Sequence, residues 1–376
     1  MLQEASIAFV KSKFREFYFK NSDLITGPPE PERREIGYET FENTMIRHLR
    51  VNDVGELRAL VLQHSPRSLY YSAAYYQEPN LPMEEKGWLG ADLFLDIDAD
   101  MVPTECARRH NFKICTKCRT PYANLSERQC YNCGNVEFEE QKWVCKVCIG
   151  KTKDEVEKVL DFFIQDFGID ADDIEIYFSG NRGYHILVRT QDVKGLGQRE
   201  RLEIIDYLMG RGISPEFLGL IKGARPENLY HLLPSPEEPG WRGRVGRQTN
   251  KKEVMDVYRT EGFERAWSII QAKVDAAAAH IDPVVTSDLH RLIRMENTLH
   301  GETGLIKKRC YDLNSFQPTV DAVAFGREPV KITVSYSPEI WFDEQNYGPY
   351  RDEVVEVPES LAIYLILKGT ARLARP

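Results

Sequence analysis

Seven of the chain's eight cysteines fall between positions 106 and 148, and six of them stand as three C-x-x-C pairs: Cys115/Cys118, Cys130/Cys133 and Cys145/Cys148. Successive pairs begin 15 residues apart, with Cys106 and His110 ahead of them. A C-x-x-C turn directs two thiolates at one tetrahedral ion, and two such turns complete a four-ligand site. Eight ligands in one segment point to two zinc ions, both structural because every ligand position is filled. The alternative, a disulfide framework, needs an oxidising compartment. The N-terminal MLQEASIAFVKSKFREFYFK has no charged n-region leading to a small-residue cleavage site, and it reads as an amphipathic helix. No apolar run reaches the roughly 18 residues of a membrane span. A cytoplasmic, reducing setting is therefore expected, without a membrane partner. Cys310, outside the cluster, is expected to be a plain buried thiol.

The 376 residues allow two or three domains, and 42% apolar with 28% charged excludes a mostly disordered chain. A formal net charge of −9 would argue against a nucleic-acid partner only if the charge were evenly spread. It is not. Lys222, Arg225, Arg242, Arg244, Arg247, Lys251 and Lys252 face only Glu227, Glu237 and Glu238 within 222–252, with glycines and Trp241 between them. That stretch reads as a basic loop that follows a phosphate backbone and offers one stacking aromatic. Lys113, Lys117, Arg119 and Arg128 give the cysteine segment a basic surface of its own.

GADLFLDIDAD (90–100) is an apolar run ending in acids, the pattern of a buried strand with carboxylates at its C-terminal end. Residues two apart on a strand share a face, so Asp96 and Asp98 project together. Like charges that close are costly unless a cation offsets them, and hard oxygen ligands suit Mg²⁺ or Mn²⁺. Two chemistries fit. One is two-metal nucleotidyl transfer with a third acid from elsewhere. The other is a phosphohydrolase with an aspartyl nucleophile; it usually carries Thr or Val where this chain has Asp100. Further on, IEIYFSG (174–180) and GYHILVRT (183–190) read as two strands joined by a tight turn. In that turn, SGNRGYH, the residues Ser179, Arg182 and His185 are all able to contact phosphate oxygens.

FLDIDAD, SGNRGYH and HIDPVVTSDLHRLIRMENTLHGETGL (280–305), in that order, resemble the catalytic small subunit of archaeal and eukaryotic replicative DNA primase, the archaeal version most of all. The likeness runs over roughly 30–310 and includes YYSAAYYQEP and KGWLGADL. It implies that Asp96, Asp98 and the downstream Asp282 hold two catalytic Mg²⁺ or Mn²⁺ ions. It implies nucleotide binding by Ser179, Arg182, His185, Arg294 and His300, and by Arg34 in the more loosely matching ERREIGY. The implied activity is synthesis of short primers de novo on single-stranded DNA from nucleoside triphosphates, by two-metal phosphoryl transfer. The implied partner is a large, iron–sulfur-bearing primase subunit in a heterodimer. A stand-alone primase-polymerase of repair or of a mobile element would share these motifs, as would a catalytically inactive, zinc-bearing nucleic-acid-binding subunit.

The implied fold is α/β. A catalytic core with a mixed sheet carries the aspartates (1–102, 151–190 and 281–376), with a zinc insertion at 103–150 and a small helical subdomain at 191–280. A family C-x-x-C immediately before the helix expected at 151–167 matches Cys145/Cys148, and the family's earlier ligands match Cys106 and His110. The four remaining thiols, Cys115, Cys118, Cys130 and Cys133, then form a separate knuckle; a rival pairing joins Cys130/Cys133 to Cys145/Cys148. Two departures stand out. Glu302 occupies a position where the family often has Lys, and Met295, Glu296, Asn297 and Thr298 replace a Pro/Ser stretch. Arg294, Lys307 and Lys308 are the nearby cations left to supply the missing charge. Elsewhere the spacing predicts helices over 1–20, 40–64, 198–209, 253–280 and 359–368 and a strand over 330–336. His48, His64, His231, His280 and His290 are expected in ordinary surface or core roles.

Overall fold

A computed structural model describes residues 2–102, 104–106, 110–122, 124–143 and 145–375. The helix Leu2–Asn21 leads to strands β1 (Ile36–Glu39) and β2 (Met45–Leu49), the helix Val54–His64, and then β3 (Ser68–Ser72), β4 (Ala74–Tyr76), β5 (Trp88–Ala91) and β6 (Leu93–Asp98). The cysteine segment forms β7 (Phe112–Cys115), β8 (Pro121–Tyr122) and β9 (Phe138–Gln141). The helix Lys146–Asp161 follows, then the hairpin β10 (Ile174–Phe178) and β11 (Gly183–Val188). Helices Gln198–Leu208, Gly240–Gln248, Lys251–Thr260 and Phe263–Ala277 precede β12 (Leu292–Arg294) and β13 (Lys308–Arg309). The chain closes with β14 (Pro329–Ser337), β15 (Ile340–Phe342), β16 (Gln345–Tyr347), β17 (Tyr350–Pro358), the helix Glu359–Leu367 and β18 (Ala371–Leu373).

Two four-stranded sheets, β12-β3-β1-β2 and β13-β10-β11-β6, organise the centre. Leu93, Phe94, Leu95 and Ile97 are all buried, so β6 has apolar cover on both faces until its acids begin. The helix Lys146–Asp161 packs on β6 and β11 and buries Val156 and Val159. The helix Glu359–Leu367 is apolar all round, which suits a core position rather than a surface one. One continuous apolar cluster includes β6, Phe112, Ile114 and Trp143 of the cysteine segment, and Ile205, Trp241 and Ile270 of the helical stretch. Among the described residues no helix is long and apolar enough to cross a membrane.

Several expectations need correction. The sheet that carries Asp96 and Asp98 is antiparallel at every pairing, not mixed. The turn between β10 and β11 is too short for a parallel crossover, and β6 and β13 add to the hairpin's two edges antiparallel. The stretch 40–64 is helical only from Val54, where Asp53 caps the helix by accepting from the Glu56 N–H at 2.9 Å; β2 occupies its first half. The helix expected over 253–280 breaks between Thr260 and Phe263. The basic stretch 222–252 is not one loop: it holds the helix Gly240–Gln248 and the start of Lys251–Thr260. Trp241 is buried against Phe162, with its indole N–H on the Tyr207 carbonyl at 2.8 Å. Arg244 is buried between Asp161 and Asp166. Neither is free to meet a nucleic acid, because both complete the packing of this helix onto the core.

Replacing Trp241 with Ala should therefore cost about 3–5 kcal/mol of stability, read as a lower denaturant midpoint, and leave single-stranded DNA affinity unchanged. Lost DNA affinity at unchanged stability would restore the stacking role.

Candidate active site and zinc-ligand clusters

The pairing of β6 with β11 sets the site. Asp96 stands opposite His185 and Asp98 opposite Gly183. The fit at Gly183 is so close that a Cβ there would lie 2.2 Å from the Ile97 carbonyl oxygen, so only glycine lets the turn approach the acidic strand end. Ser179 braces the turn: its hydroxyl accepts the N–H groups of Asn181 and Gly183, each at 3.3 Å. Arg182 folds back so that Nη2 reaches Asp98 Oδ2 at 3.1 Å and Asp100 Oδ2 at 3.6 Å. Asp282 arrives from far along the chain, and its N–H donates to the Asp96 carbonyl at 3.0 Å. One of its carboxylate oxygens caps the helix Pro283–Ser287 by accepting from Val284 and Val285.

Opposite the acids lies a basic wall. A cleft of about 160 Å³ is lined by Asp96, Asp98, Ser179, Asn181 and His185 on the sheet side, and by Tyr70, Arg291, Arg294 and His300 facing them. Arg294 lies over the Tyr70 ring, 4.9 Å from its centroid, with Nη2 3.3 Å from the Tyr70 hydroxyl. The loop carrying His300 is pinned to the turn by the Thr303 hydroxyl, which donates to the Gly180 carbonyl at 2.5 Å. His300 Nδ1 accepts the Glu302 N–H at 3.1 Å, which leaves Nε2 as the protonated nitrogen of the neutral ring.

Burial and crowding shift the titrations. Burial, and then the charges of Asp98 and Asp282, push the Asp96 carboxyl up to about 7. Burial also raises Asp98, against the opposing Arg182. At Asp100 burial is outweighed by Lys142 and Arg182, and its carboxyl is lowered. Burial, together with the cations Lys307, Arg294 and Arg291, holds His185 well below its ordinary range. Burial, with Arg294 and Lys368, does the same for His300. Both imidazoles are therefore neutral near pH 7. Among the described residues, Asp98 Oδ1, His185 Nδ1, Arg182 Nε and Arg294 Nη1 are buried without a hydrogen-bond partner. Unpaired acceptors near unpaired donors, in and beside the cleft, are what a cation and an anionic ligand together would satisfy. Asp96 and Asp98 present hard oxygen donors of the kind that suits Mg²⁺ or Mn²⁺, and Asp282 is joined to the Asp96 backbone beside them.

Arg34 is not in this cleft. It is fully buried, its Nη2 2.7 Å from Asp92 Oδ2 and its Nη1 on the carbonyls of Ser72 and Ala73, over the Tyr75 ring. It ties the start of β1 to the strands beside it and has no surface to offer a nucleotide. Lys307 is buried too, with Nζ on the Arg294 carbonyl, and Lys308 is exposed on the Asp321 carbonyl. Neither reaches the turn, so neither replaces a cation at Glu302. Sequence reasoning passed over Tyr70, Asn181 and Arg291. Each lies in a segment of the family likeness: Asn181 in SGNRGYH, Arg291 in the downstream motif, and Tyr70 at the head of YYSAAYYQEP.

Residues 133–310 match the family described as DNA primase small subunit. The DNA primase small subunit PriS of Nitrosopumilus maritimus is 35% identical over 378 aligned residues, covering 99% of this chain and all of the relative. This chain belongs to the DNA primase small subunit family. PriS of Cenarchaeum symbiosum is 33% identical with the same coverage, and that of Archaeoglobus fulgidus is 32% identical over 96% of this chain and 97% of its own.

In this member of the primase small subunit family the cysteine-rich ligands gather as two quartets, Cys115/Cys118/Cys130/Cys133 and Cys106/His110/Cys145/Cys148, each with its ligand atoms within 4.8 Å of one another. Sulfurs on one tetrahedral zinc lie roughly 3.8 Å apart, given Zn–S bonds near 2.3 Å. Cys118–Cys130 and Cys115–Cys133 stand at 3.4 and 3.6 Å, and His110 Nε2 lies 3.2 Å from Cys148. Asn111 Oδ1 holds the other His110 nitrogen at 3.1 Å and orients the ring. Both donor sets fit zinc. The second quartet joins the chain just after β6 to the first turn of the helix packed on β6 and β11, so an ion there would brace the strand end that carries the acids.

Elemental analysis should find two zinc ions per purified chain, and Cys118→Ser should reduce this to one; a single zinc in the unmodified chain would contradict the two-quartet geometry. Asp96 gives a second prediction. Its folded value near 7 lies above the ordinary 3.8, so its favourable contribution is complete below pH 4 and is lost as pH rises through 7. The metal-free chain should lose thermal stability between pH 5 and pH 8, and Mn²⁺ should restore it most at pH 8. Asp96→Asn should weaken both responses. An Asp96→Asn variant with unmodified pH and Mn²⁺ responses would exclude this carboxylate as their source.

Proposed function

We propose that this chain is the catalytic subunit of a primase, synthesising short primers de novo on a single-stranded DNA template during replication. The observation that carries the proposal is the cleft in which Asp96 and Asp98 face a wall of arginine and neutral histidine, with Asp282 tied to the Asp96 backbone beside it. Asp96, Asp98 and Asp282 would hold the divalent ions, Mg²⁺ or Mn²⁺. Such ions, when bound, activate a 3′-hydroxyl and offset charge on the leaving pyrophosphate.

The chain's own residues do the rest. Arg182 and Arg294 direct guanidinium donors at the triphosphate, where planar, paired donors match phosphate oxygens. Neutral His185 and His300 donate hydrogen bonds without adding charge, and preorganised donors stabilise the charge that builds on the phosphates. Ser179 holds the turn in shape. Tyr70 fixes the plane of Arg294. The zinc quartets act through structure, and the names of the relatives imply a large-subunit partner, which the family resemblance suggests is iron–sulfur-bearing.

The test is unprimed synthesis. The purified chain, alone and with its large subunit, is given single-stranded DNA, Mn²⁺ and ribo- or deoxyribonucleotides. De novo product is expected, and Asp98→Asn should reduce it by at least about a thousandfold, in line with loss of an essential metal-site residue, with the fold retained by circular dichroism. Full product from Asp98→Asn would refute the assignment.

A further inference from the structure

The helix Glu359–Leu367 ends beside the Ser179–Gly183 turn. The Gly369 N–H donates to the Ile366 carbonyl at 2.9 Å and the Thr370 N–H to the Leu365 carbonyl at 3.1 Å, with Gly369 at φ +70°. This pair of bonds is a Schellman stop, and it fixes the backbone of Lys368. The lysine Nζ lies over the rings of Trp143 and Tyr364, 6.0 and 5.8 Å from their centroids. Nζ donates to Asn181 Oδ1 at 3.3 Å. Asn181 lines the cleft, and its Nδ2 donates to Glu302 Oε2 at 3.4 Å. The amide thus stands between the ammonium and the carboxylate, one at each end.

Among the described residues this is the one hydrogen bond of the Lys368 ammonium, and it forms no ion pair. Its neighbour Arg182 is already divided between Asp98 and Asp100. Two cations therefore meet at this turn, and the half-buried ammonium keeps two N–H groups with no partner among the described residues. Such a group is costly unless an anion completes its shell. We propose that Lys368 is a nucleotide-binding residue that holds the triphosphate together with Arg182, from the C-terminal side of the turn. The inference rests on the primer-synthesis reading above and deepens it. Burial, with the nearby Arg182, lowers the ammonium to about 8, and an arriving polyanion reverses that pressure. Lys368 also supplies a cation at the one place where Glu302 brings a negative charge to the turn.

The experiment measures MgATP affinity by calorimetry, and KM and kcat for ATP in unprimed synthesis, in the full chain carrying Lys368→Ala, Lys368→Gln or Lys368→Arg. The Ala and Gln variants should weaken nucleotide binding and raise KM by about tenfold or more, with a smaller change in kcat and unchanged affinity for single-stranded DNA. The Arg variant should retain most of the affinity. Gln keeps the stem, so it answers even if Ala impairs folding. Unchanged MgATP affinity and KM in the Gln variant overturns the proposal while leaving primer synthesis intact. Lysine-dependent MgATP binding in a chain that makes no product supports the phosphate contact and removes the primer-synthesis reading instead.

Discussion

Two carboxylates on one face at the end of a buried strand cannot both ionise comfortably unless positive charge comes to meet them. The arrangement around Asp96 and Asp98 answers that constraint. The hairpin turn brings Arg182 onto Asp98. The strand β12, paired with β3, brings Arg294 over Tyr70 on the far side of the cleft. Asp282 adds a third acid through a backbone bond to the same strand. The remaining imbalance shows as a carboxyl raised to about 7 at Asp96 and an unpartnered oxygen on Asp98. That imbalance is the physical basis of the ion site proposed above.

The histidines follow the same logic from the other side. Cations surround His185 and His300, and burial removes water, so both stay neutral. A neutral imidazole beside arginines donates a hydrogen bond to phosphate without adding to the repulsion among the cations. The cysteine quartets lie outside this balance. Their effect is mechanical, because the Cys106/His110/Cys145/Cys148 group spans the gap between the end of β6 and the helix packed on it.

Much of this could be read in advance where chemistry sits on local spacing. The D-x-D alternation on an apolar run, the glycine-bracketed turn and the C-x-x-C pairs are each written within a dozen residues. What escaped depends on contacts across the chain. Tyr70 meets Arg294 from 224 positions away, and although it opens the segment YYSAAYYQEP, nothing in that segment says which distant residue it serves. Arg34 sits in a motif that resembled a nucleotide contact, yet a buried carboxylate at Asp92 claims it. Trp241 and Arg244 looked like a surface in a run of glycines and cations. The aromatic and acidic groups of Phe162, Tyr207, Asp161 and Asp166 turn them inward. Lys368 belongs to the same class, since only the end of a core helix brings it to the turn.

The central claim is that Asp96, Asp98 and Asp282 together form a divalent-cation site. The most direct measurement is a crystal of the chain soaked in Mn²⁺ and a nucleoside triphosphate, with anomalous data collected at the manganese edge. The account predicts anomalous density within coordinating distance, about 2.2 Å, of oxygens from all three aspartates. Density confined to the cysteine quartets, or absent from the cleft while nucleotide is bound there, would contradict it.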